Sequence, residues 1–403
     1  MCNIFGYIGD KEAKPFLLDA LERGSYRGYD SAGIAVNNGG ITVYKTTGSV
    51  SDLRSILPKK ITGNIGIGHT RWATHGGVTD ANAHPHFSVD GKIALVHNGI
   101  IENARALRNR LEKEGTILLS ETDSEALVHM IHRELEGGAK PLTAVRRTLK
   151  RARGTWGICV IFEEHNMLIC ARMGSPITIG IGENENYVSS DSIPLRPLTR
   201  ETITLNDGDF AVVTSDSIQT TRFDGSTTDS EVVTLDDEWG EAELGDFPHF
   251  MLKEIHEQPE SLRQCLTGRL EMKDGNARLG GLDLTSKELQ KIPHVRLLGC
   301  GTALHAAQVG RLVIEELARV PALAHVSSEF RYNNPVIETD AIHFAVSQSG
   351  ETADTLAAVK EIQLKGGEVR GVINVVGSTI ARQCGKGCYI HSGPEQSVAS
   401  TKA

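Results

Sequence analysis

Cysteine is scarce: seven residues in 403, an odd number at low density. That argues against a disulfide framework and fits a reducing cytoplasm. Long apolar runs are missing, and no stretch approaches the roughly 20 residues a spanning helix needs. A secretory leader is missing too: Met1-Cys2-Asn3-Ile4-Phe5-Gly6 has no basic segment, and Asp10, Lys11 and Glu12 break the apolar run. Basic excess is absent, since 42 Lys and Arg face 51 Asp and Glu for a formal charge of −9. This argues against a chain that neutralises phosphate backbones, so neither nucleic acid nor membrane is expected as a partner. No internal repeat or low-complexity segment is visible. What remains is an ordinary globular composition, 39% apolar and 23% charged, enriched in glycine (42 residues).

Up to about residue 235 the pattern is one of clustered strands with a few helices, an α+β texture. Lys14–Arg23 reads as a helix with Pro15 in its first turn and Gly24 after it, at a position that favours left-handed backbone. Ile65–Thr70 and Ile93–His97 read as strands, Ile101–Gly115 and Ser124–Glu136 as helices. Beyond the acidic stretch Asp236–Asp246, Met251–Leu266 reads as a helix kinked at Pro259. Strands Val295–Gly299, Leu323–Val326, Ile342–Ser347, Val369–Val376 and Tyr389–His391 then alternate with helices, the signature of a parallel sheet covered on both faces. The expected division is 2–235, a linker at 236–250, and 251–403.

Cys2 carries the strongest chemical signal. With Met1 removed, its thiol and a free α-amine of reference pKa about 7.7–8.0 share one residue, and the amine can serve as the base. Around it stand Arg27-Gly28-Tyr29-Asp30-Ser31-Ala32-Gly33, Arg71-Trp72-Ala73-Thr74-His75-Gly76 and His97-Asn98-Gly99. An arginine fork suits an α-carboxylate. Asn98-Gly99 reads either as a hairpin turn or, with a helix pattern following, as an amide and backbone N–H for a developing oxyanion. Together these segments resemble the glutaminase domain of the class II, N-terminal-nucleophile amidotransferases. The resemblance implies an αββα sandwich. It makes Cys2 the nucleophile, Asn98 and Gly99 the oxyanion hole, and Arg71, Trp72, Thr74, His75, His84 and Asp123 the glutamine site. Two positions depart from the family pattern: Asn3 stands where Gly is usual, and Gly24-Ser25 replace Leu-Glu.

In the second half, Leu297-Leu298-Gly299-Cys300-Gly301-Thr302 runs from a strand into a glycine-rich turn. Leu304 occupies the place where a dinucleotide fingerprint needs glycine. Ser347-Gln348-Ser349-Gly350-Glu351-Thr352 also ends a strand before a helix. Either loop alone reads as helix capping; two at one sheet edge favour a ligand, with hydroxyls and N–H groups for phosphate. These loops and Ser397-Val398-Ala399-Ser400-Thr401-Lys402-Ala403 resemble the sugar-isomerase (SIS) domain, in the form found in the glutamine–fructose-6-phosphate aminotransferase family. The implied fold is an α/β parallel-sheet domain, and the implied sugar-phosphate contacts are Thr302, Ser347, Gln348, Ser349, Thr352 and Ser400. Ala303 replaces a usual serine. Cys384, Cys388 and His391 are set aside as a metal site, Val232–Asp237 as a pyrophosphate loop, and the basic run from Arg146 to Arg153 as a solvated face.

The family implies glutamine and fructose 6-phosphate as substrates, glucosamine 6-phosphate as product, no metal or organic cofactor, and a homodimer for the complete enzyme. In it a second SIS domain follows the first; none of that domain is in this sequence, and a covering helix would begin where Ala403 stands. The expectation is therefore glutamine hydrolysis without completed synthesis. The competing readings are a phosphoribosyl-type class II amidotransferase and a non-catalytic sugar-phosphate-binding module.

Overall fold

A computed structural model describes residues 2–73, 76–235, 244–273 and 275–403. Thr74 and His75 lie outside these, as does most of the acidic stretch read as linker. The chain divides into two compact units, Met1–Asp236 and Asp237–Ala403.

The first unit is built on strand alternation. In the strand Asn3–Ile8, Ile4 and Ile8 point to one face while Phe5 and Tyr7 point to the other, and all six residues are buried. One face meets a second sheet: Ile4, Ile8 and Ile67 pack against Val96, Ile161 and Leu168. The opposite face takes Leu17 and Leu21 of the helix Ala13–Arg23 and Leu53 of the helix Val50–Ile56. On the far side of the second sheet, Leu95, Ile158 and Val160 cover Leu107, Leu127, Ile131 and Leu149 from three further helices. Four layers result, helix–sheet–sheet–helix. The eight-stranded antiparallel sheet places Asn3–Ile8 in its interior, between Asn186–Ser189 and Ile65–Arg71. In the six-stranded sheet Ile93–Ile101 pairs with Gly154–Phe162.

Two local expectations need correcting. The strand through Asn98-Gly99 does not stop at His97. All nine residues of Ile93–Ile101 pair with Gly154–Phe162, and the helix begins only at Ala104. Gly99 stays within the ladder at φ 131°, a conformation side chains resist, and a Cβ there would lie 2.2 Å from the Thr155 carbonyl oxygen. Gly24 is not left-handed: its φ is −93° and ψ 5°. The basic run is exposed at Arg147, Lys150, Arg151 and Arg153, the solvated face expected, while Arg146 is half-buried, 5.2 Å from the Phe210 ring and donating to Thr221 Oγ1.

The second unit holds a five-stranded parallel sheet in the order Ala322–Val326, Val295–Gly299, Ile342–Ser347, Val369–Ile373, Gly387–Tyr389. The first strand in sequence thus lies second in space, and the chain reverses direction of growth between Val295–Gly299 and Ile342–Ser347. Ligands of open parallel sheets bind beyond the strand ends at such a switch point. The helix Phe250–Leu266 runs through Pro259, and the α-helix Thr302–Val313 is continued by a π-helical turn over Ile314–Ala318. Among the described residues no helix is long and apolar enough to cross a membrane.

Candidate functional site

Cys2 immediately precedes the strand Asn3–Ile8, whose residues are packed on both faces, so its backbone is held while its side chain stays partly accessible. Its Sγ accepts from the Trp72 N–H at 3.2 Å. Its carbonyl oxygen accepts from Asn98 Nδ2 at 3.0 Å and from Arg27 Nε at 3.2 Å. Burial pushes the thiol's pKa up, against Trp72 N–H, Arg71 and Arg27, which pull it down. A protonated thiol at neutral pH needs a base to become a nucleophile.

The segment Arg27–Gly33 supports this centre. Arg27 pairs with Asp191 at 2.7 Å as well as holding the Cys2 carbonyl. Asp30 accepts from the Ala73 N–H at 2.8 Å, and its own N–H donates to the Arg71 carbonyl. Gly28 lies against the Arg71–Trp72 backbone, where a Cβ would come within 2.7 Å. Tyr29 meets the Trp72 indole edge-on at 5.6 Å. These contacts place the Arg71–Ala73 segment over the sulfur. Arg71 is buried and donates to the Gly77 carbonyl at 3.0 Å.

Asp123 opens the helix Asp123–Glu136; its Oδ2 accepts from the Ile101 N–H at 2.8 Å. It lines a cleft of about 300 Å³ together with Ile101, Glu102, Arg105, Arg108 and Glu121. The loop before it is clamped by Glu125, which accepts from Leu119 N, Ser120 N and Ser120 Oγ. Burial opposes ionisation of Glu125, but the bonds from His129, Leu119 and Ser120 outweigh it and hold the carboxyl at about 2. The sequence reading missed Glu125; its signal was the spacing from Ser120, a side chain reaching back to cap the turn that presents Asp123.

His69 was also missed. Its Nε2 lies 3.0 Å from Asn98 Oδ1. Burial drives its pKa down to about 3 against the Asn98 bond, with Arg71 and His97 adding to the fall. The ring is therefore neutral, and as donor to Oδ1 it carries its proton on Nε2. This orients the amide so that Nδ2 faces Cys2. Behind it His84 stacks on His69 at 4.3 Å, and His86 meets His84 edge-on at 4.6 Å. His84 thus lies in a buried imidazole stack behind Asn98.

In the second unit both strand-end loops lie at the switch point. Ser347 Oγ accepts from the Gly350 N–H at 3.0 Å and Ser349 Oγ from the Glu351 N–H at 3.2 Å. Each hydroxyl shapes the turn and keeps its own proton to donate. Thr352 precedes the helix Ala353–Leu364 without capping it through its side chain, and the exposed Thr302 opens the helix Thr302–Val313. Gln348 is committed through its carbonyl, which receives the N–H groups of Asn374 and Val375. Gly350 has φ 63° and no room for a side chain, with Ser378 Oγ 1.8 Å from an ideal Cβ. Ser400 donates to Glu395 at 2.7 Å. The terminal loop folds around two carboxylates that the motifs did not single out: Glu254 takes Gln396 N and Thr401 Oγ1, and Glu395 takes Thr401 N and Lys402 N.

A glutamine amidotransferase domain family matches residues 69–195, and the SIS domain family matches residues 288–403. All of the chain aligns at 46% identity with 67% of the glutamine–fructose-6-phosphate aminotransferase (isomerizing) of Chlorobaculum tepidum. It aligns at 47% identity with 66% of the same-named protein of Symbiobacterium thermophilum. The chain spans about two thirds of the length of these curated relatives. Among solved structures, the glutamine phosphoribosylpyrophosphate amidotransferase of B. subtilis superposes with TM-score 0.50 at 18% identity, covering 96% of this chain and 90% of that one, a likeness of fold. Identity near one half along the whole length of the chain decides the matter: the chain belongs to the glutamine–fructose-6-phosphate aminotransferase (isomerizing) family.

Proposed function

We propose that the first unit hydrolyses glutamine at Cys2 and that the ammonia released serves amination of fructose 6-phosphate to glucosamine 6-phosphate, with the second unit holding the sugar phosphate. The observation that carries this reading is the convergence on Cys2 of the Trp72 N–H at its sulfur and the His69-oriented Asn98 amide at its carbonyl. Freed of Met1, the Cys2 amine takes the thiol proton, the sulfur attacks the side-chain amide carbon of glutamine, and the amine passes the proton to the leaving nitrogen so that ammonia departs as a thioester forms; water then cleaves the thioester, releasing glutamate and restoring the thiol. Asn98 Nδ2 and the Gly99 N–H stabilise the oxyanion. Arg71 holds the substrate carboxylate, Asp123 its ammonium, and Trp72, Thr74, His75 and His84 complete the surroundings. Thr302, Ser347, Gln348, Ser349, Thr352 and Ser400 hold the phosphate. Seven free thiols support a cytoplasmic setting, and in the complete enzyme two copies associate.

The test is direct. The 403-residue protein, with Met1 removal verified by intact mass, is expected to release glutamate from glutamine and to bind fructose 6-phosphate in calorimetry. Sugar-phosphate binding with no glutamate release leaves the binding-module reading standing instead. Asn98→Ala is expected to lower kcat for glutamine hydrolysis about 10²–10³-fold, the usual loss when an oxyanion donor is removed. A loss confined to KM in steady-state kinetics would remove Asn98 from the transition state.

A further inference from the structure

Asn3 follows the nucleophile and is fully buried. Its backbone pairs with Thr70, next to Arg71. Its side-chain amide joins three elements: Nδ2 donates to the Ala20 carbonyl at 3.4 Å, and Oδ1 accepts from Ser190 Oγ at 3.4 Å. The same Ser190 hydroxyl accepts the Ile4 N–H at 2.9 Å. Ala20 lies in the last turn of its helix, and its carbonyl also accepts the Gly24 N–H at 3.0 Å.

The space for this amide exists because residue 24 is glycine. An ideal Cβ on Gly24 would sit 2.0 Å from Asn3 Nδ2 and 2.4 Å from its Cγ, and the three nearest heavy atoms all belong to Asn3. The backbone does not itself call for glycine, since φ −93° and ψ 5° are open to other residues. The obstacle to a side chain at 24 is therefore the amide of Asn3. The two departures from the family pattern, Asn3 and Gly24, form one size-matched pair.

We propose that Asn3 is a positioning residue for the nucleophile, its amide fixing the start of the Cys2 strand through the cavity that Gly24 leaves open. This rests on Cys2 being the glutamine-hydrolysing nucleophile. The amide ties residue 3 to the helix end and to Ser190, so the peptide after Cys2 cannot rotate. Glycine at 3 would free that peptide and leave a void beside Gly24.

The experiment is a cycle of Asn3→Gly, Gly24→Ala and the double variant. Misplacement of a reacting group by about 1 Å costs up to about 100-fold, so each single change is expected to lower kcat for glutamine hydrolysis about tenfold, with KM held within about twofold. The double variant removes the collision and should equal Asn3→Gly instead of multiplying the losses. Alkylation of Cys2 by iodoacetamide, followed by peptide mass, is expected to quicken severalfold in Asn3→Gly as the thiol is uncovered. The buried Cys159 and Cys170 should stay unmodified, which shows that the fold is intact. Should Asn3→Gly fail to fold, Asn3→Asp keeps the volume, loses the donor to Ala20, and should show the same fall in kcat. A lower Tm with kcat and alkylation within about twofold of wild type, or losses that multiply, would overturn the proposal. A wild-type protein that releases no glutamate refutes the assigned activity, and the alkylation rates still decide the role of Asn3.

Discussion

Cys2→Ala is expected to abolish glutamate release, with kcat falling roughly 10⁴–10⁶-fold, the scale seen when a covalent nucleophile is removed. The sulfur is the atom to which the Trp72 N–H points, and it stands beside the carbonyl held by Asn98 and Arg27. Alanine leaves those backbone contacts in place. The thiol's loss costs the fold two weak sulfur hydrogen bonds, from the Trp72 N–H and to the Trp72 carbonyl, together about 1 kcal/mol, so the melting temperature should hardly move. Glutamine binding should survive as well, because the arginine and aspartate assigned to it are untouched. A coupled glutamate assay beside a thermal melt checks both halves. Residual turnover above about 1% of wild type, against the nucleophile scale just given, would place the nucleophile elsewhere.

The second large effect concerns acid. His69, His84 and His86 are all buried, and burial is the main cause that lowers each pKa below the ordinary 6.5, His69 to about 3. Lys45 and Arg71 deepen the fall for His86, while Glu125 opposes it. In the folded chain the three rings stay neutral at pH values where the unfolded chain takes up protons. Their contribution is complete above pH 6.5 and is lost as pH falls below it. Each ring removes about 1.4 kcal/mol per pH unit in that range, so three remove about 4. The urea midpoint of the first unit should be flat from pH 7 to 8 and should drop steeply from 6.5 to 5. His84→Phe should flatten the drop by about a third, one ring of three. Both ring nitrogens of His84 lack a hydrogen-bond partner among the described residues, so phenylalanine forfeits no bond there. A midpoint independent of pH between 7 and 5 would contradict the neutral stack.

Much of the candidate site was legible because its residues are contiguous. Arg71-Trp72, His97-Asn98-Gly99 and Ser120–Asp123 each bring their chemistry in one short segment. The four-layer arrangement followed from the resemblance, and the structure gives its reason in the alternation of Ile4 and Ile8 against Phe5 and Tyr7. What stayed hidden depends on contacts between distant segments. His69 is an unremarked strand residue until folding brings it to Asn98, 29 positions away. Asn98-Gly99 was open to a turn reading because local preference favours one, and the nine-residue ladder with Gly154–Phe162 rules that alternative out. The order of the parallel strands, which makes the two strand-end loops neighbours, is a property of topology and leaves no local trace.

The strand Asn3–Ile8 is paired on both sides and buried along its whole length. Its amide hydrogens can therefore meet solvent deuterium only when the unit opens globally. Exchange at Phe5 and Tyr7 would run on the slowest clock in the domain, so a peptide-level exchange map starting at residue 3 would report global stability. The Cys2 thiol is thus anchored to the part of the protein that last forgets its fold.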